Sequence, residues 1–325
     1  MANQIPMLWV VACYFGDTEI RRRNFTVFAA ALKRQGVPLC VVEMGTALPH
    51  DVADMHLHVE PTPSLLWCKE SLLNRAIRAL PFECDVVCWA DGDVEFTDDA
   101  WARKCEAALT RYAVVQPHTH YAFMTKDVTP TTLRKGYPLH TSCGYAHATR
   151  QFITRGPLRG SIDFHHHHCG FAWVARRAFL DDIGGLYDKC IMGHADLVMA
   201  AAFAGPMTVK ALWHHESRLS LYTRGWSGAL RSDAMQYQQR VMKALPNHGG
   251  FGCVVAPVTL YHWWHGSSKT RNYKNRGLVL KDYNPKTHVD AEGRWTDDAP
   301  QQLKDDVQAY FDTRAQRVES EMQAV

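Results

Sequence analysis

Three short runs of the chain are apolar at almost every position, and helical spacing lies between and beside them. Residues 7–14 (MLWVVACY), 39–44 (LCVVEM) and 85–90 (DVVCWA) predict strands. A strand covered on both faces shows a near-continuous apolar run instead of alternation. Residues 21–35 carry Phe25, Phe28, Ala29 and Leu32 at helical spacing and stop at Gly36-Val37-Pro38, a helix with its terminator. Residues 64–80 carry Leu65, Leu66, Leu72, Leu73, Ile77 and Leu80 on one stripe, a second helix. Three β-then-α units in the first hundred residues predict an α/β fold, a mostly parallel sheet with helices on both faces.

Further along, residues 116–161 have little periodicity and many turn residues, which predicts an irregular segment or insertion. Order resumes at 170–179, followed by a helix over 195–204 and a strand over 254–264. Residues 300–323 place Leu303, Val307, Tyr310, Phe311 and Val318 at near-helical spacing, an amphipathic tail helix. No repeat or low-complexity linker divides the chain. The simplest organisation is one domain over 1–285 with a tail over 286–325.

Composition changes this picture little. With 46% hydrophobic and 21% charged residues, the 325-residue chain has the balance of a soluble globular protein. Its formal charge is only +3, but the charge is unevenly spread. Residues 128–162 contain no Asp or Glu, against Arg134, Lys135, Arg150, Arg155 and Arg159, while acids outnumber bases after residue 281. A basic middle suits an anionic partner, and it also suits a solvated surface. The ten cysteines form no CxxC pair, so neither a zinc ribbon nor a disulfide framework is expected, and a reducing cytoplasm fits. No basic leader or ~18-residue apolar run predicts a membrane partner.

The sharpest chemical signal is Asp91-Gly92-Asp93 at the end of the third predicted strand. Ligands of open parallel sheets bind at the carboxyl ends of strands, and two carboxylates there can approach a hard divalent cation. The same residues could form only a turn. Read with Val94 they also match the nucleophile loop of haloacid dehalogenase-type phosphatases, although that loop usually sits on the first strand. Glu43, ending the second strand, could accept from a ribose hydroxyl or a uracil N–H, or stand exposed. Lys69 and Arg75 could meet donor phosphates or merely coat a helix. His165 to His168 invite a zinc reading, but adjacent residues of an extended segment face opposite ways. Lys269, Arg271, Lys274 and Arg276 lie among Trp263, Trp264 and Tyr273. That mixture suits phosphate with a sugar or base, so a non-catalytic sugar- or nucleic-acid-binding protein is a further reading.

Several segments together resemble the β-1,4-galactosyltransferase-like enzymes. Trp67-Cys68-Lys69-Glu70-Ser71-Leu72-Leu73-Asn74-Arg75 leading into Asp91-Gly92-Asp93 is similar to their helix, strand and DxD motif. His168 to Trp173, Arg176-Arg177 and Ile183-Gly184-Gly185-Leu186 resemble the acceptor-side region, and Ile191 to Asp196 the following glycine-rich, acidic loop. His262-Trp263-Trp264-His265-Gly266, with Arg271, Tyr273 and Arg276, resembles the late segment. There is also a likeness to phage-encoded glycosyltransferases, including those that modify hydroxymethylated DNA bases.

The resemblance implies a GT-A fold, a nucleotide-sugar donor (UDP-sugar favoured) and Mn²⁺ or Mg²⁺ as cofactor. It implies that Asp93 is a direct metal ligand and that Asp91 serves the ribose or a metal-bound water. His265, or failing it His262, completes the metal site. Asp196 is the implied general base of an inverting transfer, and Asn74, Arg271 and Tyr273 are implied donor contacts, beside the candidates Glu43 and one of Lys69 and Arg75 read from the residues themselves. Where the family has consecutive acids, this chain has Ala195 before Asp196. Helix capping is the competing role for that carboxylate. Hydroxymethylated DNA and surface polysaccharide are the implied acceptors.

Overall fold

The computed structural model describes residues 8–323 except 16–17, 46, 63–65, 67–68, 135, 155, 165, 216, 255, 268–270 and 274. Met7, Leu65, Trp67, Cys68, Lys135, Arg155, His165, Lys269 and Lys274 therefore lie outside the described residues.

The first half runs β1 (Leu8–Tyr14), α1 (Glu19–Arg34), β2 (Leu39–Met44), β3 (Met55–Val59), α2 (Lys69–Ala79) and β4 (Val86–Ala90). It continues with β5 (Val94–Phe96), α3 (Trp101–Leu109), β6 (Val114–Gln116), β7 (His120–Phe123), β8 (His140–Ser142) and α4 (Cys143–Ala148). The second half runs β9 (His167–His168), β10 (Ala172–Arg176), α5 (Arg177–Ile183), α6 (Ala195–Ala204), α7 (Pro206–Trp213) and α8 (Gly228–Ala244). Then come β11 (Phe251–Cys253), β12 (Thr259–His262) and α9 (Gln301–Gln323).

A seven-stranded sheet has the order β11-β6-β10-β4-β1-β2-β3. Its β4-β1-β2-β3 half is parallel, and β10 runs antiparallel to both β4 and β6. The fold is thus mixed α/β with a mostly parallel sheet, as expected. Alternation along each strand feeds two cores. Trp9, Val11, Val87 and Trp89 face α2, α5, α6 and α8. Leu8, Val10, Ala12, Val86 and Cys88 face α1 and α3, where Phe25, Phe28 and Trp101 are buried.

Three expectations are corrected. No helix separates β2 from β3, so the first hundred residues do not hold three simple β-then-α units. The segment 116–161 is not merely irregular. It holds β7, β8 and α4, and its strands join a second, five-stranded sheet of order β5-β12-β7-β8-β9. The strand expected over 254–264 shrinks to β12, with β11 just before it. The tail helix forms as expected, and its Leu303 and Val307 are buried in the larger core.

Candidate active site

The site begins where β4 ends. Asp91, Gly92 and Asp93 turn the chain into β5 at the carboxyl end of the large sheet, the side that receives ligands in open α/β folds. Gly92 is required there, because a Cβ would lie 2.4 Å from the Phe25 ring of α1. β5 pairs antiparallel with β12, His262 opposite Val94, and the Trp263 N–H donates to the Asp93 carbonyl at 2.8 Å. This register delivers both late histidines to the second aspartate. His265 Nε2 lies 3.1 Å from Asp93 Oδ2, and His262 Nε2 lies 3.6 Å from Asp93 Oδ1. The donor atoms of the three residues fall within 4.8 Å of one another. Asp91 is drawn the other way, paired with the Lys69 ammonium.

The electrostatics follow from this division. Burial, reinforced by the Asp91 charge, pushes Asp93 up to about 7. Burial also works against ionising Asp91, but Lys69 beside it holds that carboxyl below its ordinary range. Burial and the Arg271 charge push His262 down to about 3 and His265 well below its ordinary value, so both imidazoles are neutral at physiological pH. Burial pushes the neighbouring Glu70 up to about 7.

These residues line a cleft of about 800 Å³. One wall is strongly cationic, with Arg21, Arg271, Arg276 and Arg314. Arg271 donates to the Tyr273 hydroxyl at 2.6 Å and also contacts His265 Nε2. Arg276 lies 4.7 Å over the Tyr273 ring. Helix α9 braces this wall: Tyr310 donates to the Arg271 carbonyl at 2.8 Å, and Glu321 accepts from the Ser267 N–H at 2.7 Å. Burial, with Arg21 and Arg271 nearby, lowers Arg314 to about 10.

The other wall is aromatic. His168 stacks on Phe171 at 4.0 Å, with Tyr121 and Phe123 beside them. Asp196 enters from the first turn of α6, where its Oδ1 accepts from the Leu197 N–H at 2.9 Å. The N-cap position itself belongs to His194, which makes no side-chain cap bond.

Asp91, Asp93, His262, His265, Lys69, Arg271, Tyr273 and Asp196 are therefore brought together at one cleft. Glu43, Asn74 and Arg75 are not among its lining residues. The Glu43 carboxylate turns to the Ala47 and Leu48 N–H groups and to His56, because it is fully buried under the loop after β2. Asn74 is buried and spends both ends of its amide on the Leu186 main chain. Arg75 is exposed on the outer side of α2. Of the histidine tract, His168 reaches the cleft while His166 pairs with Asp163 at the surface. Among the described residues no cluster of potential metal ligands includes that tract. Sequence reasoning missed Arg21, Arg314 and Glu70; only Glu70 had a signal, its place inside the quoted helix segment.

No protein-family model matches the chain, and no curated protein matches it. Several solved structures are loosely similar to parts of the chain. A Drosophila β-1,4-galactosyltransferase 7 mutant with manganese, UDP-Gal and xylobiose is 15% identical, with a TM-score of 0.32 over 60% of each chain. A mannosyltransferase from Pyrobaculum calidifontis with GDP-Man and Mn²⁺ is 13% identical, with a TM-score of 0.40 over 99% of this chain and 77% of that one. A 4-diphosphocytidyl-2C-methyl-D-erythritol synthase from Anaerococcus prevotii is 11% identical, with a TM-score of 0.30 over 55% of this chain and 74% of that one. The chain spans less than two thirds of the galactosyltransferase's length. At these scores each likeness is loose.

Proposed function

We propose that this protein is a metal-dependent glycosyltransferase of the GT-A type, moving a sugar from a nucleotide diphosphate to a hydroxyl acceptor. One observation carries the reading: a carboxylate and two neutral imidazoles converge beside four arginines in a single cleft that also holds Asp196. The donor set fits a first-row divalent ion. Asp93 Oδ1 is buried without a hydrogen-bond partner, and metal ligation requires the neutral form of histidine. Two nitrogen donors suit Mn²⁺ better than Mg²⁺, which favours oxygen alone. An ion held by Asp93, His262 and His265 supplies Lewis acidity toward a departing diphosphate. For His265 to ligate, Arg271 must give up its contact with Nε2, which frees its guanidinium for a phosphate oxygen.

The remaining roles fall to the chain itself. Arg21, Arg271, Arg276 and Arg314 hold the diphosphate, and Tyr273 orients two of them. Asp196 takes the proton of the acceptor hydroxyl as it attacks the anomeric carbon, which gives inversion. The aromatic wall holds a flat acceptor. Phe123 is 42% exposed at the cleft, and Leu139 on the neighbouring acid-free segment is 53% exposed. That segment also exposes Arg134, Arg150 and Arg159. A hydroxymethylated base in DNA matches this apolar and basic surface better than a lipid-linked acceptor does, and no described helix is long and apolar enough to cross a membrane.

The test is incubation of 5-hydroxymethylcytosine DNA with the protein, Mn²⁺ and a pool of nucleotide sugars, UDP-sugars first, followed by mass spectrometry of the nucleosides. A hexose or pentose mass increment that Asp93→Ala abolishes is the expected result. An unchanged nucleoside with donor hydrolysis removes the DNA acceptor, and no binding of any nucleotide sugar removes the transferase.

A further inference from the structure

Away from the cleft, a second cluster of metal-ligating side chains sits at the edge of the large sheet. β2 and β3 are parallel neighbours with Val41 opposite His56 and Glu43 opposite His58. Because side chains alternate, Glu43, His56 and His58 must share one face. His56 Nε2 lies 2.8 Å from Glu43 Oε2, and His58 Nδ1 lies 3.7 Å from that oxygen. All three donor atoms fall within 4.8 Å of one another. The two rings are stacked at 4.2 Å, so their nitrogens approach the carboxylate side by side.

Two features separate this cluster from a chance surface grouping. The Glu43 carboxylate is completely buried, and among the described residues its ion-pair partners are histidines alone, with no lysine or arginine. A buried carboxylate with so little cationic compensation is costly unless something else balances it. Its other oxygen, Oε1, accepts from the Ala47 and Leu48 N–H groups at 2.6 and 2.9 Å. That pair of bonds fixes the carboxylate and leaves Oε2 aimed at the histidines, the outer-shell support typical of a metal ligand. The His56 side chain is only 8% exposed and its Nδ1 has no partner, whereas His58 is 38% exposed and opens the cluster to solvent.

We propose that Glu43, His56 and His58 form a second divalent-metal site, one that takes Zn²⁺ and is separate from the Asp93 centre. One carboxylate and two imidazoles suit zinc, with a fourth position left to water on the exposed His58 side. The ion neutralises Glu43 and pins the edge strand β3 to β2. Glu43 is also opposite Tyr14 of β1, a cleft residue, so the clamp stiffens the sheet beside the donor cleft.

The experiment uses the full chain in a His262→Ala/His265→Ala background, where the first centre is removed. Chelator-treated protein is titrated with Zn²⁺ by calorimetry, and bound metal is counted by elemental analysis. The expected result is one equivalent, with a rise in melting temperature on binding. Adding His58→Ala, at a partly exposed position that folding tolerates, should weaken that equivalent by at least about 100-fold. Adding His166→Ala instead should leave it unchanged. Unaltered zinc binding in the His58→Ala protein, or loss of the equivalent in the His166→Ala protein, overturns the proposal. So does an absence of zinc binding in the starting background.

Discussion

His265 Nε2 stands 3.1 Å from Asp93 Oδ2, although the histidine lies beyond β12 and the aspartate before β5. The antiparallel β5–β12 pair is what joins them. The expected consequence is that Asp93→Asn or His265→Ala weakens Mn²⁺ binding by more than the ~10–100-fold typical of losing an outer-shell partner. Calorimetry or manganese resonance measures it directly.

The same pairing sets the pH dependence of metal binding. Asp93 is raised to about 7, whereas His262 and His265 are already neutral well below that pH. A metal entering between pH 5 and 7 therefore displaces one proton, not three. Affinity should rise about tenfold per pH unit over that range and level off above it. A slope near two or three would mean that the histidines also titrate.

Gly92 separates the two aspartates under close confinement. Adding a methyl group puts carbon 2.4 Å from the Phe25 ring, which is 1% exposed and cannot swing aside. Gly92→Ala should cost about 1–3 kcal/mol by overpacking and misplace Asp93, with metal affinity falling in parallel. A Phe25→Leu change in the same chain should recover part of the metal affinity, as read by urea denaturation and Mn²⁺ titration.

Much of this was legible in the sequence, for a physical reason. β1, β2 and β4 are covered on both faces, so they read as apolar runs, and the aspartates at the end of β4 could be placed at once. β3 was invisible: MHLHV is a half-exposed edge strand with alternating histidines, and without it the partners of Glu43 could not be seen. The strands of the second sheet are too short, two to four residues, to show periodicity. Arg314 was unreadable because its place depends on how α9 packs. Asn74 was legible as a special position, but its partner is a main chain 112 residues later.

That Asn74 contact predicts a split between stability and binding. The side chain donates to the Leu186 carbonyl at 2.9 Å and accepts from its N–H at 2.8 Å, both buried. Asn74→Ala orphans two main-chain groups, and at about 1–3 kcal/mol each the loss should be ~2–6 kcal/mol in chemical denaturation. Because Asn74 does not line the cleft, donor KM should change little below the melting transition. A large rise in KM with unchanged stability would instead make it a donor contact.

Arg314 carries a charge prediction. It shares the cleft with Arg21 and Arg271, and burial beside those charges lowers it to about 10. Arg314→Ala should weaken nucleotide-sugar binding about 10–150-fold, the range of a charge-assisted hydrogen bond of ~1.5–3 kcal/mol. It should also flatten the salt dependence of that binding. Calorimetry at two ionic strengths checks both.

The general base can be assigned between two carboxylates in the cleft. Asp196 lines the cleft from the first turn of α6, its Oδ1 held by the Leu197 N–H. Glu70 is 7% exposed and pushed up to about 7 by burial, so at neutral pH it is part protonated. Asp196→Asn should therefore lower kcat by about 10²–10⁴, the usual value of a positioned base, with donor KM nearly unchanged. At saturating Mn²⁺ the proton on Asp93 is displaced, so a limb near pH 7 in kcat/KM would report Glu70 alone. Glu70→Gln should abolish that limb while retaining most of the rate at its optimum. If Glu70→Gln costs the larger factor and Asp196→Asn the smaller, proton removal belongs to α2, and Asp196 is left to position the acceptor.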